Sequence, residues 1–445
     1  MKLPVFFESY FQSRWEPQTL AMLLEGLQQE PSVSIRVNPA RLPADATPEG
    51  ADGRVPWCHE GFYLKQRPAF TADPLLHAGA YYVQEASSMF LAHTLRTILL
   101  PSFVSHPPTT ALDLCAAPGG KSTLLRSLLP DDCLLVANEP IRARAQVLAE
   151  NMAKWGHPNV VVTQATASDF AKLTKKAGRF DLILADVPCS GEGMMRKEEE
   201  AVRQWSPAFV AECAALQRSI VQDIWPALRP GGMFIYSTCT FNPEEDEDNV
   251  EWIARELEAD VVPIPVEPTW GILGDLRRER KTSSDRLPCC HFLPGRVRGE
   301  GFFIAALRKH GETTEQECIA PHKEGKNKKG KGRKNPPLTF ADHLHESINT
   351  LPTDQLDATG LPSINIPLEQ AIRYLQREAI VLPPEAPLGC VQVCYCGQRL
   401  GMVKNLGARA NNLYPREWRI RSSFVEPHCI FPALKTTCEE PAINT

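Results

Sequence analysis

The sequence predicts an α/β protein whose central sheet domain lies between a smaller N-terminal domain and a smaller C-terminal domain. From about residue 108 to 308, short apolar segments alternate with longer segments whose apolar residues recur at helical spacing. A basic segment with almost no apolar residues then separates this region from the rest of the chain. Apolar strands that alternate with helices are typical of a parallel sheet covered on both faces.

Six strands and two clear helices are predicted in the central region. The strands are Thr110–Leu114, Leu134–Asn138, Asn159–Thr163, Phe180–Asp186, Gly232–Ser237 and Phe302–Leu307. The clearest helices are Arg142–Trp155 and Pro207–Leu228. Because right-handed crossovers bring the loops after parallel strands to one sheet edge, we expect those loops to form the ligand site.

The chain of 445 residues is long enough for about three domains. We expect an N-terminal α+β domain at residues 1–92, the sheet domain at 93–310, a linker at 311–337 and a C-terminal domain at 338–445. Between His322 and Asn335 the linker holds seven Lys or Arg against one Glu, so it cannot bury a core and is predicted to be disordered.

The two flanking domains give weaker signals. Ser34, Arg36 and Asn38 share one face of a predicted strand, and composition alone favours solvated side chains there. The C-terminal domain has a predicted helix near Leu368–Arg377 followed by short strands, the last at Trp418–Arg421.

Composition narrows the class of protein. No run approaches 18 apolar residues and the first 15 residues lack a signal-peptide core, so neither a membrane span nor a secretory leader is expected. Fourteen cysteines without such a leader favour reduced thiols in the cytoplasm. The formal net charge of -5 argues against nucleic-acid binding by bulk charge but allows local basic patches.

One segment has the form of a nucleotide-type binding loop. The predicted strand Thr110–Leu114 leads into a helix that starts at Lys121. The residues between them are small, apart from one conformationally restricted proline: Cys115, Ala116, Ala117, Pro118, Gly119 and Gly120. Gly120-Lys121-Ser122 resembles the end of a P-loop, but that motif needs glycine where Cys115 stands. The segment is therefore a cofactor loop of another kind.

Three further loops are expected at the same sheet edge. Glu139 follows the second strand, where an acid holds the hydroxyl pair of a ribose. Asp186 ends an apolar strand, where a carboxylate is costly unless a ligand uses it, and Cys189 follows in the same loop. Cys239 lies in the loop after Gly232–Ser237. A single loop cysteine is usually core packing, but two beside a cofactor loop favour chemistry.

Metal binding is not expected. Cys189 and Cys239 are single loop residues, and Cys289-Cys290-His291 lacks the paired spacing of a structural zinc site. Cys390, Cys394 and Cys396 lie in a strand-like segment without a nearby His.

A thiolate, an acid and an adenosine cofactor suit alkylation of a pyrimidine carbon. Addition of the thiolate to carbon 6 of cytosine turns carbon 5 into a nucleophile, and an acid near ring nitrogen 3 takes up the developing charge. The base must leave its stack to react, so flanking RNA- or DNA-binding domains are expected.

At these motifs the chain resembles the Sun/Fmu family of RNA cytosine-5 methyltransferases, which implies a Rossmann-like class I methyltransferase core. The matching segments are A-L-D-L-C-A-A-P-G-G-K-S (111–122), D-V-P-C-S-G-E-G (186–193), Y-S-T-C-T (236–240), S-I-R-V-N (34–38), Y-V-Q-E-A-S-S-M (82–89) and R-V-R-G-E-G-F-F (296–303). Downstream, G-M-V-K-N (401–405) and N-L-Y-P-R-E-W-R-I (412–420) resemble the PUA-like domain of RsmF-type enzymes, which act on small-subunit ribosomal RNA. The resemblance also implies that the N-terminal domain binds RNA.

The resemblance implies a role for each matching residue. Cys239 would be the nucleophile, Cys189 would assist release of the product, and Asp186 would contact the cytosine and close the cofactor pocket. S-adenosylmethionine would be held by Glu139 and by Cys115, Ala116, Ala117, Pro118, Gly119, Gly120 and Lys121. Arg196 and Lys197 would lie near the RNA backbone.

One position departs from the family pattern. Where relatives usually carry Asp for the adenine amino group, this chain has Thr166, with Asp169 three residues later. The Thr hydroxyl, a shifted Asp169 or backbone could replace that contact. A rival assignment of the thiols also stays open, since the P-C cysteine is the nucleophile of DNA cytosine methyltransferases and corresponds to Cys189 here.

The overall prediction is a cytoplasmic, monomeric, S-adenosylmethionine-dependent RNA cytosine-5 methyltransferase acting on ribosomal RNA. A transfer-RNA cytosine-5 methyltransferase and a non-catalytic RNA-binding ribosome-assembly factor are the alternatives. In the C-terminal domain, basic residues interleaved with Tyr414 and Trp418 favour RNA contact, although the aromatic rings could instead fill a small barrel. The acidic run at residues 244–248 is predicted to cap the following helix.

Overall fold

The computed structural model describes residues 2–103, 107–280, 282, 286–311, 339–356, 359–422, 426–437 and 443–444. The predicted linker at 311–337 lies outside these residues except for its first position. Within the described ranges, no helix is long and apolar enough to cross a membrane.

The N-terminal part is a small sheet flanked by short helices. Its elements are α1 (Phe7–Gln12), α2 (Pro17–Gly26), β1 (Val33–Val37), β2 (Ala51–Arg54), β3 (Gly61–Leu64), α3 (Pro74–His77) and β4 (Tyr81–Val83). The strands pair in the order β2-β3-β1-β4. α4 (Phe90–Thr94) and α5 (Leu100–Ser102), joined by a π-helical turn at Leu95–Leu99, then lead into the central sheet.

The central part carries the predicted alternation of strands and helices. Its first half contains β5 (Thr110–Asp113), α6 (Gly120–Leu128), β6 (Leu134–Asn138), α7 (Arg142–Trp155), β7 (Val160–Gln164), α8 (Ala167–Ala177) and β8 (Phe180–Asp186). Its second half contains α9 (Glu199–Gln204), α10 (Pro207–Ile224), β9 (Leu228–Thr238), α11 (Glu247–Glu256), β10 (Ala259–Val262), β11 (Cys290–Phe292) and β12 (Phe302–Lys309).

The C-terminal part follows the linker. Its elements are α12 (Phe340–Ser347), β13 (Asn349–Leu351), β14 (Ser363–Asn365), α13 (Leu368–Leu375), β15 (Gly389–Tyr395), β16 (Gln398–Asn405), β17 (Ala410–Asn412) and β18 (Ile443–Asn444). Five of these strands form a sheet in the order β17-β16-β15-β14-β18.

The central sheet confirms the predicted fold class but is mixed rather than wholly parallel. Its order is β10-β12-β9-β8-β5-β6-β7-β13, with β11 paired to β12. β5 to β9 are mutually parallel, which places the loops after them at one edge. β12 runs antiparallel to β9, with Phe303 opposite Thr238, so the chain enters β12 from that same edge. The segment at residues 299–301, directly before β12, therefore lies beside the loop that carries Cys239.

The first elements after the linker differ from the predicted domain division. β13 pairs with β7 at the edge of the central sheet, and Phe340 of α12 packs on Phe180 with ring centroids 5.2 Å apart. Phe340 and Leu344 are buried in one apolar cluster with the central sheet. Residues 340–351 therefore pack on the sheet domain, although they lie beyond its predicted boundary.

The N-terminal and C-terminal sheets share one apolar core. Ile35, Leu75 and Tyr81 lie in the same buried cluster as Tyr374 and Phe431. The Tyr81 hydroxyl donates to Asp73 Oδ2, which also accepts from the backbone N–H of Ile430. Deleting the C-terminal domain would therefore expose the N-terminal core, so its role must be tested with surface substitutions.

Two local predictions in the C-terminal domain are wrong. Residues 418–421 form a turn and irregular backbone rather than a strand, because Trp418 and Ile420 pack on the shared core instead of joining the sheet. Cys396 is disulfide-bonded, so the expectation of reduced thiols fails there, whereas the eleven other described cysteines form no disulfide.

Candidate active site

The predicted cofactor loop lies at the carboxyl edge of the sheet. β5 ends in Asp113, and α6 begins directly after Gly119, whose φ of +116° is a conformation that favours glycine. The Ser122 hydroxyl donates to Asp113 Oδ2 at 2.6 Å, and the backbone N–H of Ala116 donates to the Asn138 carbonyl at 2.8 Å. The loop is thus tied both to its own helix and to the end of β6.

The S-I-R-V-N segment braces this loop, contrary to the expectation that its polar side chains are solvated. Arg36 is buried and donates to Gln84 Oε1 at 2.7 Å, to Thr123 Oγ1 at 2.6 Å and to the Gly120 carbonyl at 3.1 Å. Asn38 is buried as well and donates to the Gly79 carbonyl at 2.9 Å. Arg36 therefore connects the N-terminal sheet to the first turn of α6.

Glu139 lies where the sequence predicts a ribose-binding acid, at the end of β6. Its side chain is only 2% exposed, and its Oε1 accepts from the backbone N–H of Ile141 at 3.0 Å. The position proposed for an adenine contact is occupied differently. Thr166 and Asp169 form a reciprocal cap at the start of α8, and these hydrogen bonds lower the pKa of Asp169. Helix capping thus explains both residues.

Asp186 joins the cofactor loop to the loops after β8 and β9. It lies opposite Ser237 in the parallel pair β8–β9, and the Ser237 hydroxyl donates to Asp186 Oδ1 at 2.7 Å. Lys121 Nζ lies 2.9 Å from Asp186 Oδ2. Burial alone would lower the pKa of Lys121, but the attraction of Asp186 and the hydrogen bond to it raise that pKa. Lys121 therefore stays charged at neutral pH.

The two predicted cysteines meet at this edge. Cys189 Sγ and Cys239 Sγ are 3.2 Å apart, and both residues are half-buried. The hydrogen bond between the two sulfurs, followed by burial, raises the pKa of Cys189 well above its usual value. Cys189 therefore keeps its proton at neutral pH. Burial also raises the pKa of Cys115, which suits packing beside the loop rather than attack.

Glu192 links the two cysteine loops and had no predicted role. It is completely buried and accepts from the backbone N–H groups of Phe241 and Asn242 at 2.6 and 3.0 Å, and from Trp205 Nε1 at 2.8 Å. Burial, followed by repulsion from Glu245, raises the pKa of Glu192 to about 8. Its neighbour in the D-V-P-C-S-G-E-G motif, Gly193, donates its N–H to the Cys239 carbonyl at 2.8 Å.

The acidic run lies at the start of α11 as predicted, with Glu247 and Asp248 in the first turn. Asp246 is the N-cap residue but makes no side-chain capping hydrogen bond. Glu245, Asp246 and Glu247 are instead 0% exposed and face inward. Five consecutive acidic residues in a sequence resemble a solvated surface, so only the start of the run five residues after Cys239 could have indicated that it is buried.

Arg196 does not lie free to meet an RNA backbone, as the resemblance implied. Its side chain is 5% exposed, with Nε 2.8 Å from Glu300 Oε2. It also donates to the carbonyls of Gly26 and Gly299. Arg196 therefore joins the loop after β8 to the N-terminal helices and to the segment at residues 299–301. Lys197, with a third of its side chain exposed, lies 3.5 Å from Glu300 Oε1.

A second cluster contains Glu247, Cys289 and His291, whose donor atoms lie within 4.8 Å of one another. His291 Nε2 is 3.0 Å from Glu247 Oε1, which also accepts from the backbone N–H of Leu276. These three donors are one fewer than a structural zinc site uses. The expectation of no bound metal stays a prediction, and metal analysis of the purified protein tests it.

The Rossmann-like sheet and its loops define a class I methyltransferase. A family model described as 16S rRNA methyltransferase RsmB/F matches residues 103–308. Models of the N-terminal domain of 16S rRNA methyltransferase RsmF and of the methyltransferase RsmF PUA domain match residues 3–86 and 362–420. The chain belongs to the RsmF-type branch of the Sun/Fmu family.

Curated relatives match part of their own length. The chain is 34% identical over 307 residues to ribosomal RNA small subunit methyltransferase F of Pectobacterium atrosepticum, an alignment that covers 66% of this chain and 60% of the relative. It is 37% identical over 261 residues to the protein of that name from Klebsiella pneumoniae, covering 57% of this chain and 51% of the relative. The chain thus spans about half to three fifths of these relatives.

Solved structures share the fold. A methyltransferase homologue from Pyrococcus horikoshii superposes with a TM-score of 0.53 at 25% identity, covering 68% of this chain and 93% of that one. NSun6 from Pyrococcus horikoshii superposes with a TM-score of 0.54 at 20% identity, covering 69% and 99%. The second likeness is one of fold alone.

The cofactor of this class is S-adenosylmethionine, and the residues present fit it. The loop from Cys115 to Lys121 offers backbone N–H groups, and Glu139 offers a carboxylate for ribose hydroxyls. Asp113 Oδ1 is buried and has no hydrogen-bond partner among the described residues. Carboxylates at this edge also suit a positively charged sulfonium.

Proposed function

We propose that this chain methylates carbon 5 of cytosine in small-subunit ribosomal RNA through a covalent adduct with Cys239. One observation carries the proposal. Two cysteine sulfurs lie 3.2 Å apart at the sheet edge that also holds the cofactor loop and Asp186. A methyltransferase acting on an already nucleophilic oxygen or nitrogen would have no use for two adjacent thiols.

Cys239 is the attacking group in this proposal. Its thiolate adds to carbon 6, the electrons of the 5,6 double bond shift through carbon 4 to nitrogen 3, and Asp186 is the residue proposed to contact the cytosine where that charge develops. S-adenosylmethionine, when bound, supplies the electrophilic methyl group. Carbon 5 bonds to that methyl group as S-adenosylhomocysteine leaves. A base then takes the carbon-5 proton, the double bond re-forms and the carbon–sulfur bond breaks, which regenerates the Cys239 thiolate.

Cys189 assists this release. Its raised pKa means that Cys189 enters the reaction protonated, with its S–H beside the Cys239 sulfur. When the carbon–sulfur bond breaks, the Cys189 S–H can donate to the departing Cys239 sulfur and stabilise it as a thiolate. The choice of Cys239, rather than Cys189, as the nucleophile follows the resemblance at the Y-S-T-C-T motif.

RNA contact by the C-terminal domain is supported by an exposed basic set. Its members are Lys404, Arg409, Arg416, Arg419 and Arg421, all exposed. The interleaved aromatic residues are not available for stacking in the predicted way. Tyr414 is 1% exposed and packs on Tyr374, while Trp418 is half-buried with Lys154 Nζ 5.8 Å from its ring centroid. Phosphate pairing is therefore the stronger part of the proposal.

Charge reversal tests this contact without opening the shared core. We expect R416E/R419E to weaken ribosomal RNA binding and to flatten its salt dependence, because fewer counterions are released. The exposed Arg203, on α9 of the sheet domain, gives the matched control variant R203E. Equal affinity and an equal salt slope in R416E/R419E and wild type would remove the C-terminal face from the proposal.

The proposed activity is tested by transfer of labelled methyl groups. The full chain is incubated with small-subunit RNA, assembled small subunits or transfer RNA, and the product nucleoside is identified by mass spectrometry. We expect 5-methylcytosine in small-subunit RNA. Methylation of transfer RNA alone would support the alternative substrate, and binding without methylation of any RNA would support the non-catalytic assembly factor. The relatives' names support ribosomal RNA, and a cytoplasmic, monomeric enzyme remains part of the proposal.

A further inference from the structure

The acidic run at residues 244–248 connects five separate parts of the molecule. Glu244 pairs with Arg14 of the segment after α1 at 2.6 Å, and Asp248 pairs with Arg277 at 2.9 Å. Glu247 meets His291 at 3.0 Å. The remaining two acids contact the loops that carry the cysteines. Completely buried carboxylates are costly unless hydrogen-bonded, so these contacts account for the burial of the run.

Glu245 holds the loop of Cys189. Its Oε2 accepts from the backbone N–H of Ser190 at 3.0 Å and from Gln217 Nε2 at 2.7 Å. Gln217 Nε2 also donates to the Pro188 carbonyl at 2.9 Å. The residues on both sides of Cys189 are therefore fixed relative to one carboxylate. The other oxygen, Oε1, accepts from Asn242 Nδ2 at 2.8 Å, so both oxygens are used.

Asp246 holds the loop of Cys239 in the same way. Its Oδ1 accepts from the hydroxyls of Thr238 and Thr240, at 2.5 and 3.0 Å. These two residues flank Cys239 directly. Oδ2 is buried and has no hydrogen-bond partner among the residues that the structure describes. Both hydrogen bonds to the Cys239 loop therefore depend on a single oxygen, Oδ1.

We propose that Glu245 and Asp246 are positioning residues that together set the separation of the Cys189 and Cys239 sulfurs. Consecutive Cα atoms are about 3.8 Å apart across a rigid trans peptide, so the two loops are fixed relative to one short backbone unit. Neither carboxylate contacts a sulfur directly. The kinetic consequence of this inference rests on the proposed cytosine-5 mechanism, whereas the sulfur separation itself does not.

The difference between the two carboxylates predicts which substitutions are tolerated. D246N keeps an oxygen that accepts from both threonine hydroxyls and should behave like wild type. D246A removes both hydrogen bonds. E245Q should not be tolerated, because both oxygens of Glu245 accept and an amide nitrogen must face a donor. E244Q is the matched control, since Glu244 lies in the same run but holds Arg14 rather than a cysteine loop.

Two measurements separate the inference from the proposed function. The first is the yield of a Cys189–Cys239 crosslink with a short bifunctional thiol reagent, quantified by peptide mass spectrometry without RNA. The second is formation and decay of the covalent adduct with small-subunit RNA. Thermal unfolding of each variant reports folding.

We expect lower crosslink yields in D246A and E245Q but not in D246N or E244Q. D246A should slow adduct formation about 100-fold, the scale of a misplaced reacting group, whereas E245Q should mainly slow adduct decay. A purely structural role would not divide formation from decay between the two variants. Should D246A not fold, T240V removes one hydroxyl donor and should give an intermediate crosslink yield.

Unchanged crosslink yields in folded D246A and E245Q, or in T240V where D246A does not fold, would overturn the inference. Equal loss of activity in D246A and D246N would also overturn the inference. Such a result would assign the effect to the charge of Asp246 rather than to its hydrogen bonds with Thr238 and Thr240. Absence of any adduct in wild type, together with lower crosslink yields in D246A, would contradict the proposed function and leave the positioning role supported.

Discussion

Replacing Arg36 with methionine tests whether the N-terminal domain stabilises the cofactor loop. The buried guanidinium donates three hydrogen bonds, to Gln84, Thr123 and the Gly120 carbonyl. A hydrogen bond from a charged group contributes about 1.5–3 kcal/mol, so losing three removes about 5–9 kcal/mol. Burial opposes this stabilisation, since it lowers the pKa of Arg36 from 12.5 to about 10.

That pKa shift corresponds to a desolvation penalty of about 3 kcal/mol, which methionine avoids. We therefore expect R36M to lower the free energy of unfolding by about 2–6 kcal/mol, measured by urea denaturation. Affinity for S-adenosylhomocysteine, measured by calorimetry, should fall as well, because Gly120 and Thr123 belong to the first turn of α6.

R54M is the matched control for this experiment. Arg54 is exposed and lies over the Phe62 ring at 4.4 Å, so its loss should change the free energy of unfolding by no more than about 0.5 kcal/mol. An R36M protein as stable as R54M, with unchanged cofactor affinity, would refute the idea that the N-terminal sheet stabilises the loop.

Three further predictions follow from individual side chains. C115A should still form the RNA adduct, since burial raises the pKa of the Cys115 thiol; loss of the adduct on a gel would contradict this interpretation. R196M should lower the free energy of unfolding by about 1.5–3 kcal/mol, because the buried Glu300 loses the charged hydrogen bond from Arg196 and keeps only the more distant Lys197, while the folded protein keeps its RNA affinity in filter binding. Burial raises the pKa of Asp113 to about 7 from 3.8, so its ionisation should destabilise wild type relative to D113N as pH rises from about 4 to 7. Urea denaturation of both proteins at pH 5 and pH 8 measures this loss. A wild type that gains stability relative to D113N between pH 5 and pH 8 would show the shift to be wrong.

Elements with strong local signals could be predicted from the sequence. α7 spans Arg142–Trp155 as predicted, because its apolar residues recur at helical spacing and Gly156 ends it in a left-handed conformation. The cofactor loop was equally readable, since small residues between an apolar strand and a helix have few other uses. The same holds for the edge where Cys189 and Cys239 meet, because parallel strands bring their following loops together.

Long-range pairing could not be predicted in the same way. Arg36 and Arg196 look like surface residues in the sequence, and only the fold places Gln84 and Glu300 against them. β12 runs antiparallel to β9 because the chain enters it at the carboxyl edge of the sheet. An apolar run in the sequence does not indicate the direction of the strand that it forms. Residues 418–421 alternate like a strand, yet Trp418 and Ile420 pack on a core supplied by two sheets that are distant in sequence.

The acidic run shows the same limit at the site itself. Five consecutive acids indicate a solvated helix start, and no local pattern reveals that Asp246 has Thr238 and Thr240 as partners. Buried charge is predictable only when its hydrogen-bond donors are known. The residues that meet at the candidate site could therefore be predicted from three motifs, whereas the residues that hydrogen-bond to their loops could not.

The covalent step is tested most directly by comparing C189A and C239A on small-subunit RNA in the presence of S-adenosylmethionine. Denaturing gels report the RNA adduct, and nucleoside analysis reports 5-methylcytosine. We predict that C189A accumulates an adduct that resists denaturation, because release is slowed after attack by Cys239. C239A should form neither adduct nor product. An adduct trapped in C239A but absent from C189A would assign the attack to Cys189 and contradict the proposed mechanism.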